Sequence, residues 1–96
     1  MIVSFGDKVT SDLYHGISNR RTRKLPSQIH ETALYKLDVL NAAHELDDLK
    51  SPPGNRLKPL TGNLRGYHSI RINSQWRIVF RWDINSAHDV QIVDYH

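Results

Sequence analysis

The break at Ser51-Pro52-Pro53-Gly54 separates two stretches with different side-chain periods, and one layer of secondary structure cannot satisfy both. Upstream, apolar residues recur every three or four positions. Val9, Leu13 and Ile17 stand four apart behind Asp7, a good N-cap, and predict a short helix whose end is weakened by Gly16 and Ser18. Pro26 and Ser27 open a longer helix with Ile29, Ala33, Leu37 and Leu40 on one stripe and Leu34 beside it. This is the helix expected to cover a sheet. Residues 45–49 add a further turn before the prolines forbid helix. Residues 19–24 carry no apolar anchor and read as a mobile loop or frayed helix end, and Ile2-Val3-Ser4-Phe5 reads as a short strand.

Downstream the period becomes two. Residues 67–72, 76–82 and 88–93 read as three alternating strands, and connections this short make their pairing antiparallel. For Ile70 and Ile72 to share a core face with Trp76, Ile78 and Phe80, paired residue numbers must sum to an even number, which selects a loop of Asn73-Ser74-Gln75. The opposite face then displays Tyr67, Ser69 and Arg71 beside Arg77, Val79 and Arg81, with Gln91, Val93 and Tyr95 from the last strand. The expected fold is α+β: a small antiparallel β-sheet with two N-terminal helices packed on one face, in a single domain over residues 1–96.

A chain of 96 residues holds one core. It has no cysteine, which excludes disulfides, thiolate metal sites and a cysteine nucleophile. No apolar run approaches a membrane span of roughly 20 residues, and the N-terminus lacks the layout of a signal peptide. A soluble cytoplasmic protein with no membrane partner is expected. Residues 1–50 balance seven Lys/Arg against seven Asp/Glu, whereas residues 51–96 carry six against three. A basic half suits a nucleic-acid partner, and equally suits a merely solvated surface.

The last run ends on Asp94-Tyr95-His96, a carboxylate, a phenol and an imidazole. Cleavage of RNA by its own 2′-hydroxyl needs a base, an acid and cations on the phosphorane, but no cofactor. His96, with an ordinary pKa near 6.5, suits the acid–base work. Asp94, Tyr95, Arg77 and Lys58 supply the remaining catalytic candidates, while Arg56, Arg65, Arg71 and Arg81 suit RNA phosphates and Tyr67, like Tyr95, offers a base a stacking surface. Arg77 is expected on the solvated face, where its removal leaves thermal stability almost unchanged. Arginines are also common on the wet face of a one-sided sheet, and Arg81 would pair equally well with Asp89 across the strands. Strict alternation puts Asp94 and His96 on the side of Val90 and Ile92, away from Arg77. Residues 53–66 form a loop with three glycines, two prolines and three cations, without a phosphate-loop ending. None of the six histidines stands at a zinc-ligand spacing, so no metal is expected.

The order of short strand, two helices, Gly54-Asn55-Arg56-Leu57-Lys58-Pro59-Leu60-Thr61-Gly62 loop, Gly66-Tyr67-His68-Ser69-Ile70-Arg71, Trp76-Arg77-Ile78-Val79-Phe80 and terminal Asp94-Tyr95-His96 resembles the HigB-type killer toxins of the RelE/ParE superfamily. The stretch from Ser51 to Leu57 resembles the subgroup that includes the GraT toxin. The resemblance implies cleavage of mRNA in the ribosomal A site, without cofactor, and a HigA-type helix-turn-helix antitoxin that neutralises the toxin and represses its operon. It also implies that Asp94, Tyr95 and His96 are the terminal catalytic triplet and Arg77 the phosphate-stabilising arginine. Lys58 stands where well-studied HigB members have a histidine before Pro-Leu. It keeps a cation there but not an acid–base group at an ordinary pKa. The rival readings are a ParE-like inhibitor of DNA gyrase, which has no need of a terminal proton shuttle, and a generic RNA-binding protein.

Overall fold

The computed structural model describes residues 1–94. Helices α1 (Lys8–Tyr14) and α2 (Ser27–Ala42) precede strands β1 (Lys58–Pro59), β2 (Tyr67–Arg71), β3 (Trp76–Asp83) and β4 (Ser86–Asp94), with 3-10 turns at Thr22–Lys24, Leu46–Lys50, Pro53–Asn55 and Gly62–Leu64. The strands form one antiparallel sheet in the order β1-β2-β3-β4.

Asp7 caps α1, its carboxylate accepting from the Thr10 N–H at 2.8 Å. The helix ends sooner than the apolar spacing predicts: Gly16 turns the chain at φ 73° and Ile17 is exposed. Residues 19–24 are held rather than loose. The Asn19 and Thr22 N–H groups donate to each other's side-chain oxygens at 3.0 Å, and Asn19 Nδ2 and Arg21 Nε both donate to the buried Asp12 carboxylate. These bonds hold the Asp12 carboxyl below its ordinary range, Asn19 first and Arg21 after it. The anchor is polar, which is why a search for apolar anchors misses it.

Helix α2 buries Ile29, Ala33, Leu37 and Leu40 along the predicted stripe. These join Leu13 of α1, Leu49, and Ile70, Ile72, Ile78, Phe80, Ala87, Val90 and Ile92 of the sheet region in one core cluster. Each fully buried large side chain in it contributes roughly 1.5–3 kcal/mol. The Ile92 N–H donates to the buried Thr10 Oγ1 at 2.9 Å, tying β4 to α1. Ile2-Val3-Ser4-Phe5 makes parallel bridges to β4 at Ile2–Ala87 and Phe5–Val90 rather than a full strand.

The β2–β3 register is the predicted one: Ile70 pairs with Ile78 and Arg71 with Arg77, and Ile72 meets Trp76 across Asn73-Ser74-Gln75. The Asn73 side-chain oxygen closes that loop by accepting from the Gln75 and Trp76 N–H groups at 2.8 Å. Two features depart from simple alternation. The register shifts between Val79 and Arg81, opposite Asp89, whose φ is 54°; the extra residue lets Ala87 and Val90, three apart, both point into the core. The expected 53–66 loop also holds a strand, Lys58 pairing with Ser69 and Pro59 with His68. Proline is tolerated there because β1 is the sheet edge.

Candidate functional site

Arg77 reaches the face that alternation assigns it, but it is not solvated. Its exposure is 8%, its Nε donates to the fully buried Ser69 Oγ at 2.8 Å, and its Nη2 donates to the Arg56 carbonyl at 2.7 Å. The expectation of an open sheet face fails because the Pro53–Asn55 turn, with Arg56 after it, closes over this end of the sheet. Arg56 follows that turn in a left-handed conformation, φ 46° and ψ 53°, and the carbonyl it presents to Arg77 comes from a residue 21 positions away.

Beside this guanidinium lies a concavity of about 320 Å³ lined by Arg56, Arg71, Asn73, Ser74 and Arg77. Three arginines line this one open space, which gives it a cationic character. Arg71 is steadied by a 3.0 Å bond from its Nε to the Asn73 carbonyl. Lys58 lines a second concavity of about 210 Å³ with Thr61, Val79 and Val93 among others. Ser69 is the ladder partner of Lys58 and the acceptor for Arg77, and so links the two residues through β2.

The other predicted residues lie as follows. Asp94 pairs with Trp76, one step beyond Arg77 and Val93, and its carboxylate accepts from Gln75 Nε2 at 3.1 Å. It therefore has the parity of Ile92, as alternation predicts. Tyr95 and His96 lie outside the described residues. Arg81 sits four residues along β3 from Arg77, where its guanidinium meets Asp89 at 3.4 Å and Asp83 at 3.8 Å. The Tyr67 hydroxyl donates to the same Asp89 carboxylate. Arg81 and Tyr67 are thus drawn into a carboxylate cluster at the far end of the strands. Arg65 closes the Gly62–Leu64 turn and is exposed.

Sequence reasoning missed Lys36 and Asn55. Lys36 is buried on α2 and donates to Asn55 Oδ1. Burial, with the Arg71 charge adding to it, pushes its ammonium below the ordinary lysine range. Asn55 is completely buried, and its Nδ2 donates to the Leu49 and Ser51 carbonyls, both at 3.2 Å. The available signal was a lysine flanking the apolar stripe, directly before Leu37.

A family model described as RelE-like toxin of type II toxin–antitoxin system HigB matches residues 3–96. Toxin HigB-1 of Vibrio cholerae serotype O1 is 43% identical over 82 residues, covering 85% of this chain and 84% of that protein. Endoribonuclease HigB of Proteus vulgaris is 31% identical over 75 residues, covering 78% and 80%. Among solved structures, YafQ from E. coli superposes with a TM-score of 0.64 at 12% identity, covering 98% of this chain and 93% of that one. The YoeB–YefM complex from Staphylococcus aureus gives 0.61 at 18% identity, covering 100% and 98%. At such identities the likeness speaks for the fold.

Proposed function

The chain belongs to the HigB-like, RelE-type toxin family of type II toxin–antitoxin systems, and from that premise we propose that it stops translation by cutting mRNA in the ribosomal A site. The observation that carries this reading is the three-arginine concavity with Arg77 fixed at its wall. A phosphodiester fits such a space better than a neutral ligand does, because permanently charged guanidinium groups gain most from the extra negative charge of a phosphorane.

In the proposed reaction the RNA 2′-oxygen attacks the neighbouring phosphorus and the bond to the 5′-oxygen breaks, leaving a 2′,3′-cyclic phosphate and a free 5′-hydroxyl. One proton leaves the 2′-hydroxyl and one is delivered to the departing oxygen. His96 serves this transfer, with Asp94 and Tyr95 orienting it or the substrate. Arg77 and Lys58 carry the phosphorane charge. Arg56 and Arg71 hold the scissile phosphate, and Arg65, Arg81 and Tyr67 contact RNA further along. The nucleophile belongs to the substrate, so the reaction needs no metal. The Ser51–Leu57 stretch supports a GraT-like subgroup; the type II toxin–antitoxin family supports an antitoxin partner, which in this reading is of the HigA helix-turn-helix type. A toxin of translation works in the cytoplasm.

The test is cleavage of a defined mRNA with programmed ribosomes, with free RNA, and with a chelator selective for transition metals that leaves the ribosome's Mg²⁺ in place. Cleavage is expected with ribosomes and chelator together and to be absent on free RNA. Deleting His96 should abolish cleavage and growth inhibition while antitoxin binding persists. Intact mRNA alongside inhibited gyrase supercoiling would overturn the reading.

A further inference from the structure

We propose that Lys36 is a positioning residue for the arginine site, acting through Asn55 and the Arg56 carbonyl to set the Arg77 guanidinium. The inference rests on the reading of Arg77 as the phosphorane-stabilising group.

Four hydrogen bonds connect Lys36 to Arg77 through the Pro53–Asn55 turn. Lys36, on the face of α2 that turns inward, donates to Asn55 Oδ1. Asn55 directs its amide donors to the Leu49 and Ser51 carbonyls, so both polar atoms of its side chain are engaged and fix one orientation. Its neighbour Arg56 is the αL residue that closes the Pro53–Asn55 turn, and the Arg56 carbonyl accepts from Arg77 Nη2 at 2.7 Å. Moving the turn by a fraction of its present contact distance would release that acceptor and change the aim of the guanidinium.

A lysine is an expensive choice for a merely structural staple. Its ammonium is buried, its bonded partner is a neutral amide, and the Arg71 charge lies close enough to disfavour it further. An apolar residue would continue the Ile29, Ala33, Leu37 stripe without burying a charge, but would leave the Asn55 Oδ1 without this donor. The ammonium lies close enough to Arg71, which lines the concavity, for the two charges to interact. A residue that buries a charge and directs the loop beneath a reactive group has the character of a positioning residue.

The proposal separates rate from stability. Lys36→Met removes a buried charge but leaves Asn55 Oδ1 unpaired, so the full chain should stay folded with a melting temperature lower by roughly 4–8 °C, and KM for programmed ribosomes should stay within about twofold. Its kcat should fall on the order of ten- to a hundredfold, as for a displaced reacting group. Lys36→Gln, which keeps an amide donor on a shorter stem, should recover part of that loss. In an Arg77→Ala background Lys36→Met should change the rate by less than about twofold, because the route through Arg77 is already gone. The Arg77 Nε–H resonance, followed by nuclear magnetic resonance in the free protein, should move or broaden in Lys36→Met. An unmoved resonance in the folded variant, equal losses with and without Arg77, or failure of both Lys36 variants to fold would each overturn the proposal. If the wild-type chain cuts no mRNA while the resonance still moves, the positioning role stands and the cleavage reading fails.

Discussion

Arg77 combines a buried structural position with a reactive one, so its two contributions must be separated. Arg77→Ala leaves the Ser69 hydroxyl and the Arg56 carbonyl without their donor, which should cost about 1–3 kcal/mol of stability. Cleavage per folded molecule should fall on the order of a hundredfold or more. Arg77→Lys should recover little of either, because one ammonium cannot serve both acceptors and a phosphate. Normal cleavage per folded molecule, measured beside a melting curve, would leave Arg77 a purely structural residue. His68 offers an independent check on the core. Its ring stacks on Phe80 with centroids 6.3 Å apart, and Nδ1 is buried with no hydrogen-bond partner among the described residues. Burial lowers its pKa below the ordinary 6.5. A histidine held neutral in this way contributes stability fully above about pH 6.5, and loses it as pH falls toward the lowered native value. His68→Phe should therefore raise stability at neutral pH by about 1 kcal/mol and flatten the stability curve just below pH 6.5. An unchanged slope in denaturant melts across that range would show that another group titrates there.

Among the elements, the β3–β4 hairpin is the least well served by its sequence. Ile84 and Asn85 both take positive φ, 48° and 57°, between the paired Asp83 and Ser86. A two-residue turn with this geometry matches the twist of the strands and favours Asn-Gly. Ile84 is β-branched and 86% exposed, so it bears left-handed strain without the compensation of burial. Ile84→Asn should stabilise the protein by about 1 kcal/mol without changing cleavage, since this turn lies at the opposite end of β3 from Arg77. A fall in stability on thermal melting would mean that the isoleucine makes a contact worth more than the strain. The Asp89 bulge is the other irregular point of β4. Its N–H is taken by Ser4 Oγ at 2.9 Å and its carboxylate by Arg81 and Tyr67, and the extra residue there breaks alternation between Ala87 and Val90.

For the molecule as a whole, the sheet is apolar on the side where the helical residues join the core and cationic around Arg56, Arg71 and Arg77. Recognition through those three guanidinium groups should release counterions. Ribosome association, measured by sedimentation at increasing salt, should fall with a log–log slope of roughly −2 or steeper, on the basis of three phosphate contacts to a single strand. Indifference to salt would point to an apolar target and toward the gyrase alternative. The Arg81 guanidinium, already facing Asp83 and Asp89, should contribute less to that slope than Arg71, and Arg81→Ala compared with Arg71→Ala in the same measurement tests the ranking.

What the sequence determined is local. The starts of both helices at Asp7 and Pro26, the stripe of α2, the three-residue loop after Ile72 and the register of β2 on β3 all follow from caps, turns and side-chain alternation among near neighbours, where the backbone leaves few alternatives. The pairing of Arg71 with Arg77 and the parity of Asp94 were legible for the same reason. The tertiary structure decided which face is covered and which side chains meet across it. Arg77 is buried because a carbonyl 21 residues away closes over it, Lys36 finds Asn55 across 19 positions, and Thr10 receives the Ile92 N–H across 82. Nothing in a period of two or 3.6 encodes such encounters. They are selected only when the whole chain packs, and each buried donor and acceptor must then find a partner within reach.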